Sequence, residues 1–291
     1  METQERVQLL IQASATGNQS HEVALAQSDI TLPLIESLKK EVDRYVRSDV
    51  RQALHIAELT HRLSNKIPDP LARALGVRAK AQTLHYLHEY AEAVTLYEEA
   101  SGIYRKLGKS VEVARITRSM IDPLMYLGRY DEALALAGDA RQILTAAAEP
   151  TLLAQLETNV GNVHHRLDQY REALGCYDRA HAVFAANNDP LALAIVSYNL
   201  GNVYACLDDF RQAQNYYEKS FALYDQQGMR LSAMHVRYSI GYLHFLRGQY
   251  HQAMRILHET QEAFVELDDR RHVALCQLDL AEIYLQLHIL D

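Results

Sequence analysis

Asparagine side chains recur at matched positions in the second half of the chain. Asn159 and Asn162 are three residues apart, and Asn199 and Asn202 repeat that spacing 40 residues later. A carboxamide offers both a hydrogen-bond donor and an acceptor, so a series of them can bind the backbone of an extended peptide whatever its side chains are. Because Asn often bonds locally, the alternative is that these side chains satisfy neighbouring helix ends.

Other residues that could support catalysis or metal binding lack the necessary spacing. His85, His88 and Glu89 form HxxHE, which matches neither the HExxH nor the HxxEH order of zinc sites. The three cysteines include no CxxC pair, and GxGxxG, GxxxxGK and GxSxG are absent from the sequence. A catalytic pairing of Cys206 with a histidine stays open, although no local signature supports it. We therefore expect no enzymatic activity, no cofactor and no metal site.

A fixed 40-residue period organises the chain. An apolar residue is followed three residues later by alanine in six successive units: Val50/Ala53, Tyr90/Ala93, Tyr130/Ala133, Tyr170/Ala173, Phe210/Ala213 and Tyr250/Ala253. Small residues at Gly161, Gly201 and Gly241 form a second column, where helices can approach closely. A period of roughly 20 to 50 residues is typical of stacked supersecondary units, so the sequence predicts a solenoid.

Each unit is predicted to be a hairpin of a first helix A and a second helix B, with breaks at Asp69-Pro70 and Asp189-Pro190. Helix A is predicted at about 31–47, 71–87, 112–127, 151–167, 191–207, 231–247 and 271–287. Helix B is predicted at about 51–66, 91–106, 131–146, 171–186, 211–227 and 251–267. Pro123 lies inside a helix A, where it predicts a kink that exposes the Ser119 carbonyl, unless packing absorbs the distortion.

The strings YNLGNVYACLDDFRQAQNYYEKSFALY and TNVGNVHHRLDQYREALGCYDRAHAVF resemble tetratricopeptide repeats. The resemblance covers about residues 31–291, and its 40-residue unit is similar to that of kinesin light chains and spindle-orienting scaffolds. Residues 71–291 also resemble the repeat region that precedes a caspase-like CHAT protease domain in many bacterial proteins. The resemblance implies an all-α fold, a right-handed α-solenoid whose helices A line a concave groove that binds peptides.

The resemblance places the peptide-binding side chains on the helices A, among them the four asparagines. The complete set is Arg78, Arg115, Arg118, Asp122, Asn159, Asn162, Arg166, Tyr198, Asn199, Asn202, Tyr238 and Tyr242. Its four arginines outnumber the one aspartate and would attract carboxylates or phosphates, although pairing of Arg118 with Asp122 is the alternative. The three tyrosines could form anchor pockets or pack between helices.

Charge and composition limit the partners and the location. The chain has 291 residues and a net charge of −8, which gives no general attraction to nucleic acid or an anionic membrane. The opening METQERVQLLIQAS lacks the long apolar core of a secretory signal or a membrane span. We therefore expect a cytoplasmic protein that binds neither nucleic acid nor membrane.

The ends of the chain depart from the repeat. Residues 1–30 are predicted to form an irregular N-terminal cap, and residues 31–291 an array of six hairpins plus a final helix A. Leu290 occupies the aromatic column, so either the last helix is a cap or the sequence continues in a longer protein.

The leading hypothesis is a non-enzymatic scaffold that binds a protein or peptide, with an acidic segment toward the arginines. The alternative is the regulatory repeat region of a CHAT protease, or of a signalling ATPase or transcription regulator, with an intramolecular partner domain beyond residue 291.

Overall fold

Every regular element that the structure describes is a helix. The structure is a computed structural model that describes residues 6–11 and 30–287, and no strand occurs among them. The described helices are α1 (6–11), α2 (Leu32–Tyr45), α3 (Val50–Ser64), α4 (Pro70–Tyr86), α5 (Tyr90–Lys106), α6 (Ser110–Tyr126), α7 (Tyr130–Ala146), α8 (Pro150–Arg166), α9 (Tyr170–Ala186), α10 (Pro190–Cys206), α11 (Phe210–Gln226), α12 (Arg230–Leu246), α13 (Tyr250–Glu266) and α14 (Arg270–Gln286).

The predicted all-α fold of helical hairpins is confirmed. The observed bounds of α2 to α14 agree with the predicted helices A and B within two residues at each end. The chain divides into two compact units, residues 1–159 and 160–291, and the boundary falls inside α8. Most of the predicted N-terminal cap lies outside the described residues. Within it, Val7, Leu10 and Ile11 of α1 are buried in the same apolar cluster as Leu34 and Leu38 of α2.

Helix starts and turns follow from a few residue types. Asp69 and Asp189 cap α4 and α10 by accepting backbone N–H groups, and each is followed by a proline whose missing N–H needs no partner there. One residue with a positive φ angle then occurs every 20 residues, at 88, 108, 128, 148, 168, 188, 208, 228, 248 and 268. These left-handed residues end the helices, and the next N–H bonds to the carbonyl five residues earlier, as from Glu89 to Leu84. Because a helix ends at every twentieth residue, each hairpin of two helices spans 40 residues.

The glycine column brings the two helices of a hairpin into contact. A methyl group at Gly161 would lie 2.5 Å from Tyr177 Cε1, and one at Gly201 would lie 2.6 Å from Tyr217 Cδ1. Both tyrosine rings are buried, so an aromatic ring of the following helix fills the space that a side chain would take at each glycine.

Helix α6 stays helical through Pro123 to Tyr126. None of the helices in the described residues is long and apolar enough to cross a membrane.

Candidate functional site

Three asparagine side chains of residues 160–291 make hydrogen bonds to other side chains, and we call Asn162, Asn199 and Asn202 the asparagine ladder. The Tyr177 hydroxyl donates to Asn162 Oδ1 at 2.8 Å, and the Tyr217 hydroxyl donates to Asn202 Oδ1 at 2.8 Å. Asn199 Nδ2 donates to Asn162 Oδ1 at 3.1 Å and so connects α10 to α8. The bonds that hold the ladder are therefore made with other side chains. They are not bonds to neighbouring helix ends, which was the alternative that the sequence left open.

Each ladder carboxamide keeps one end without a protein partner. Among the described residues, no hydrogen bond involves Nδ2 of Asn162 or Asn202, or Oδ1 of Asn199. All three side chains are half-buried, so these atoms are reachable from solvent. Two donors and one acceptor are the groups needed to bind the backbone of an extended chain, whose own N–H and C=O groups alternate.

Asn159 plays a different part, in residues 1–159. Its Nδ2 donates to the Arg118 carbonyl of α6 at 2.8 Å. That carbonyl precedes the Ser119 carbonyl, which Pro123 leaves without its helical donor. Asn159 thus supports α6 beside the proline, and its acceptor oxygen is the end that remains for a ligand.

Three of the arginines expected at the site lie in residues 1–159, and we call Arg78, Arg115 and Arg118 the arginine cluster. Glu112 Oε2 lies 3.1 Å from Arg78 Nη1 and 3.2 Å from Arg115 Nε, so one carboxylate is shared by two guanidinium groups. The sequence interpretation omitted Glu112, and the cluster is therefore less positive than expected. Asp122 accepts from His85 Nε2 at 3.0 Å and is not paired with Arg118.

Arg118 is the member of the arginine cluster that contains a buried nitrogen left unpaired within the described part of the chain. Its Nη1 donates to Gln155 Oε1 at 2.7 Å, whereas its buried Nε has no hydrogen-bond partner among the described residues. Burial, followed by the charge of Arg78, lowers the pKa of Arg118 from its usual range.

An open cavity of about 380 Å³ lies beside the arginine cluster. Its lining combines apolar side chains, three cations and two carboxylates: Glu36, Leu71, Leu75, Arg78, Tyr104, Lys109, Glu112 and Arg115. Leu71 and Leu75 in this lining suit an aliphatic side chain and the cations suit a carboxylate, because alkyl groups leave water while opposite charges attract.

The tyrosines expected at the site are divided between packing and exposure. The Tyr198 hydroxyl lies 3.2 Å from Ser239 Oγ, and the Tyr238 hydroxyl donates to Asp279 Oδ2 at 2.7 Å. Both therefore join neighbouring helices, which is the packing alternative. Among the three tyrosines, Tyr242 is the best placed to contact a ligand, because it is 39% exposed.

The pKa of the Asp279 carboxyl is raised, mainly by burial and also by the Glu282 charge, whereas the hydrogen bond from Tyr238 lowers it.

Arg166, the remaining arginine expected at the site, is exposed at the end of α8.

The two histidines of the HxxHE string have different partners. His85 bonds to Asp122, whereas His88 Nδ1 lies 2.7 Å from the Tyr90 hydroxyl. Cys206 Sγ does approach a histidine, lying 3.7 Å from His165 Nε2. No carboxylate among the described residues bonds to His165, and the neighbouring Asp168 accepts from Tyr170 instead. The pair therefore lacks the group that orients the base in a catalytic triad.

A cluster of metal-ligating side chains was missed from the sequence. His235, Asp269 and His272 meet in residues 160–291, although they belong to two neighbouring repeats. Burial tends to raise the pKa of the Asp269 carboxyl, but hydrogen bonds from His235 and from the His272 backbone and side chain outweigh it and lower the pKa to about 2. Aligning adjacent repeats, rather than searching for one short motif, would have found the trio.

The chain is similar in sequence and in fold to proteins built of helical repeats. Residues 151–226 match the tetratricopeptide repeat family. A search of curated protein sequences finds no match. The resemblance to repeat arrays is thus supported, whereas no comparison supports the resemblance to CHAT proteins.

Solved structures agree on the architecture over most of the chain. A Signal Transduction ATPase with Numerous Domains with a tetratricopeptide repeat sensor, from Pyrococcus horikoshii, has a TM-score of 0.72 at 14% identity and is matched over 96% of this chain and 42% of that one. NprR in complex with its cognate peptide NprX has a TM-score of 0.66 at 14% identity, with coverage of 97% and 82%. Rap protein complexed with competence and sporulation factor has a TM-score of 0.64 at 16% identity, with coverage of 93% and 79%. Likeness at these identities shows the fold alone.

Proposed function

We propose that this chain is a non-enzymatic scaffold that binds an extended peptide or partner segment on the asparagine ladder. The observation that carries the proposal is the half-satisfied state of the ladder. Asn162, Asn199 and Asn202 are each oriented by a bond within the fold, and each leaves one amide end unpaired among the described residues. Orienting a polar group before binding reduces the entropy lost when the ligand arrives.

The arginine cluster is proposed to select acidic segments. Arg78 and Arg115 line the open cavity together with Leu71 and Leu75, and Arg118 adds a further positive charge to the arginine cluster. Binding there must compete with Glu112, which already holds two of the arginines. The cluster therefore favours ligands with more than one carboxylate, because a single charge only replaces an existing ion pair.

The comparisons add support for peptide binding. NprR was solved with its cognate peptide, and a Rap protein was solved with competence and sporulation factor. Those complexes belong to those proteins, and only the helical architecture is common to this chain. We propose that the same architecture serves recognition here, in the cytoplasm of a bacterial cell.

A specific observation favours one alternative, the sensor region of a larger signalling ATPase. The chain matches 42% of the length of the ATPase from Pyrococcus horikoshii, whose repeat region is described as a sensor. In that case the partner could be another domain of the same protein. Regulation of a CHAT protease or of a transcription regulator remains a hypothesis from the sequence. The reading frame beyond codon 291 distinguishes these architectures, since each predicts a different adjoining domain.

The proposed function is tested by selecting peptides that bind the chain from a random displayed library and measuring their affinity for the wild type and for variants. Asn199→Ala with Asn202→Ala removes two ladder amides, and neutral hydrogen bonds worth about 1 kcal/mol each predict about thirtyfold weaker binding. Asn215→Ala is the matched control, because Asn215 is exposed on α11, the second helix of its hairpin. Equal affinities for the wild type, the double variant and the control, with unchanged circular dichroism, would exclude the ladder as the binding site.

A further inference from the structure

Three metal-ligating side chains converge where α14 begins. His235 lies in α12, Asp269 caps α14, and His272 lies in the first turn of α14. Asp269 Oδ2 is 2.8 Å from His235 Nε2 and 2.8 Å from His272 Nδ1. One ligand atom of each residue lies within 4.8 Å of the other two. The two imidazoles thus face the same carboxylate oxygen.

Helix capping does not account for this arrangement. Asp269 Oδ1 accepts the His272 backbone N–H at 3.1 Å, which is the ordinary capping bond. Asp69 and Asp189 cap α4 and α10 through the same atom, and no imidazole bonds to either carboxylate in the described part of the chain. A cap therefore needs only the first oxygen of Asp269, and the second oxygen with its two histidines requires another explanation.

The surroundings bury the cluster only in part. The side chains of His235, Asp269 and His272 are 33%, 16% and 21% exposed. The Phe264 ring lies 5.5 Å from the His235 ring and 5.0 Å from the His272 ring, measured between centroids, and covers part of the cluster. Two imidazole nitrogens and one carboxylate oxygen form the ligand set of open zinc sites, in which water or a partner atom completes the coordination.

We propose that His235 Nε2, Asp269 Oδ2 and His272 Nδ1 bind a divalent transition-metal ion, with zinc as the favoured occupant. Each neutral imidazole shifts its proton from the nitrogen that now faces Asp269 to the other ring nitrogen, which frees the lone pair for the metal. The hydrogen-bonded atoms then separate slightly to accept metal bonds of about 2.0–2.2 Å. The ion would join α12 to α14.

Two features set the expected strength of the site. The N-terminal end of α14 carries partial positive charge, and Arg271 adds a full charge close to His272. Both oppose a cation, and three ligands bind less tightly than four. We therefore expect affinity in about the micromolar range rather than that of a closed structural zinc site.

Zinc titration of the full, untagged chain tests the proposal, with cobalt absorption as a second readout. His235→Gln and His272→Gln keep a side-chain donor for Asp269 while they remove an imidazole ligand. Each should weaken zinc binding at least tenfold, and the double variant should lose the single site and the visible cobalt band. Asp269→Asn should also weaken binding, because an amide can cap the helix but is a poor ligand, whereas Asp189→Asn should leave zinc affinity unchanged.

Saturating zinc should also raise the thermal midpoint of the wild type and not that of the doubly substituted chain. Circular dichroism without metal verifies that the variants are folded. The proposal is overturned if the wild type shows no saturable site below about 100 μM zinc, or if the double variant keeps the same stoichiometry and affinity.

Discussion

Tyr217 donates its hydroxyl proton to Asn202 Oδ1 at 2.8 Å, and Tyr177 makes the same bond to Asn162 one repeat earlier. The two bonds connect the second helix of a hairpin to the ladder on its first helix. Because both tyrosine rings are buried and their hydroxyls have these partners, the fold itself fixes the orientation of the amides. The ladder is therefore part of the packing and part of the candidate binding surface.

Tyr217→Phe should separate these two roles. Loss of the bond to Asn202 should reduce the free energy of unfolding by about 1 kcal/mol, measured by urea denaturation, and should weaken peptide binding because the amide can rotate. Tyr216→Phe is the matched control, since Tyr216 stacks on Tyr204 and no described hydrogen bond involves its hydroxyl. Identical stabilities and affinities for the two variants would show that Tyr217 does not position the ladder.

Gly201→Ala should destabilise the chain although alanine favours helices. The added methyl group would lie 2.6 Å from Tyr217 Cδ1, so a buried ring must move, and overpacking of this kind costs about 1–3 kcal/mol. Gly138→Ala in α7 places a methyl group with nothing within 4 Å and should stabilise by up to about 1 kcal/mol. Thermal denaturation of both variants checks the opposite signs. A stable Gly201→Ala chain would contradict the close packing of the glycine column.

Glu112→Gln should strengthen the binding of acidic peptides. The substitution removes the carboxylate shared by Arg78 and Arg115 and leaves the guanidinium groups available to the ligand. Fluorescence anisotropy of a labelled peptide with several carboxylates should show a gain in affinity. The gain should shrink as the salt concentration rises, because salt shortens the Debye length, which is about 8 Å at physiological ionic strength. Glu132→Gln breaks the pair with Arg129 in α7 and serves as the control. A gain of the same size in the control would mean that net charge, rather than the cluster, attracts the peptide.

Lys39 should make stability depend on alkaline pH. Burial lowers its pKa from 10.5 to about 8, although the nearby Asp43 charge opposes the shift; the Arg78 charge lowers it further. Between these values the unfolded chain holds more protons than the folded chain, so the contribution of this group to stability rises with pH. The gain from about pH 7.5 to 9.5 is on the order of 1–2 kcal/mol.

Lys39→Met tests this titration, because methionine fills a similar space without a charge. Asp43 is 52% exposed and can remain solvated after the substitution. The difference in free energy of unfolding between wild type and variant, measured with urea at several pH values, should become more favourable to the wild type as pH rises. A difference that is constant with pH would show that Lys39 titrates normally.

The sequence predicted the helices because Asp-Pro breaks and the columns of alanine and glycine recur at fixed spacing. It also placed Asn162, Asn199 and Asn202 on the first helices of the hairpins. The bonds to Tyr177 and Tyr217 were not predicted, since they join columns that had been considered separately.

Long-range charge pairing was harder to predict. Glu112 lies 34 residues from Arg78 in sequence, and only the packed hairpins bring the two together. His235 and Asp269 are separated by the same interval, and their contact likewise depends on neighbouring repeats. A motif search within one helix detects neither contact, whereas the periodic columns of the repeat restrict which residues can meet.

Photo-crosslinking of a selected peptide tests most directly whether the peptide lies on the first helices of the hairpins. p-Benzoylphenylalanine would replace Tyr242, which is 39% exposed, and in a second sample would replace the exposed Asn215 of α11. We expect a crosslink from position 242 that excess unlabelled peptide abolishes, with little product from position 215. Crosslinking from position 215 and none from position 242 would contradict this expectation and would place the peptide on the second helices of the hairpins.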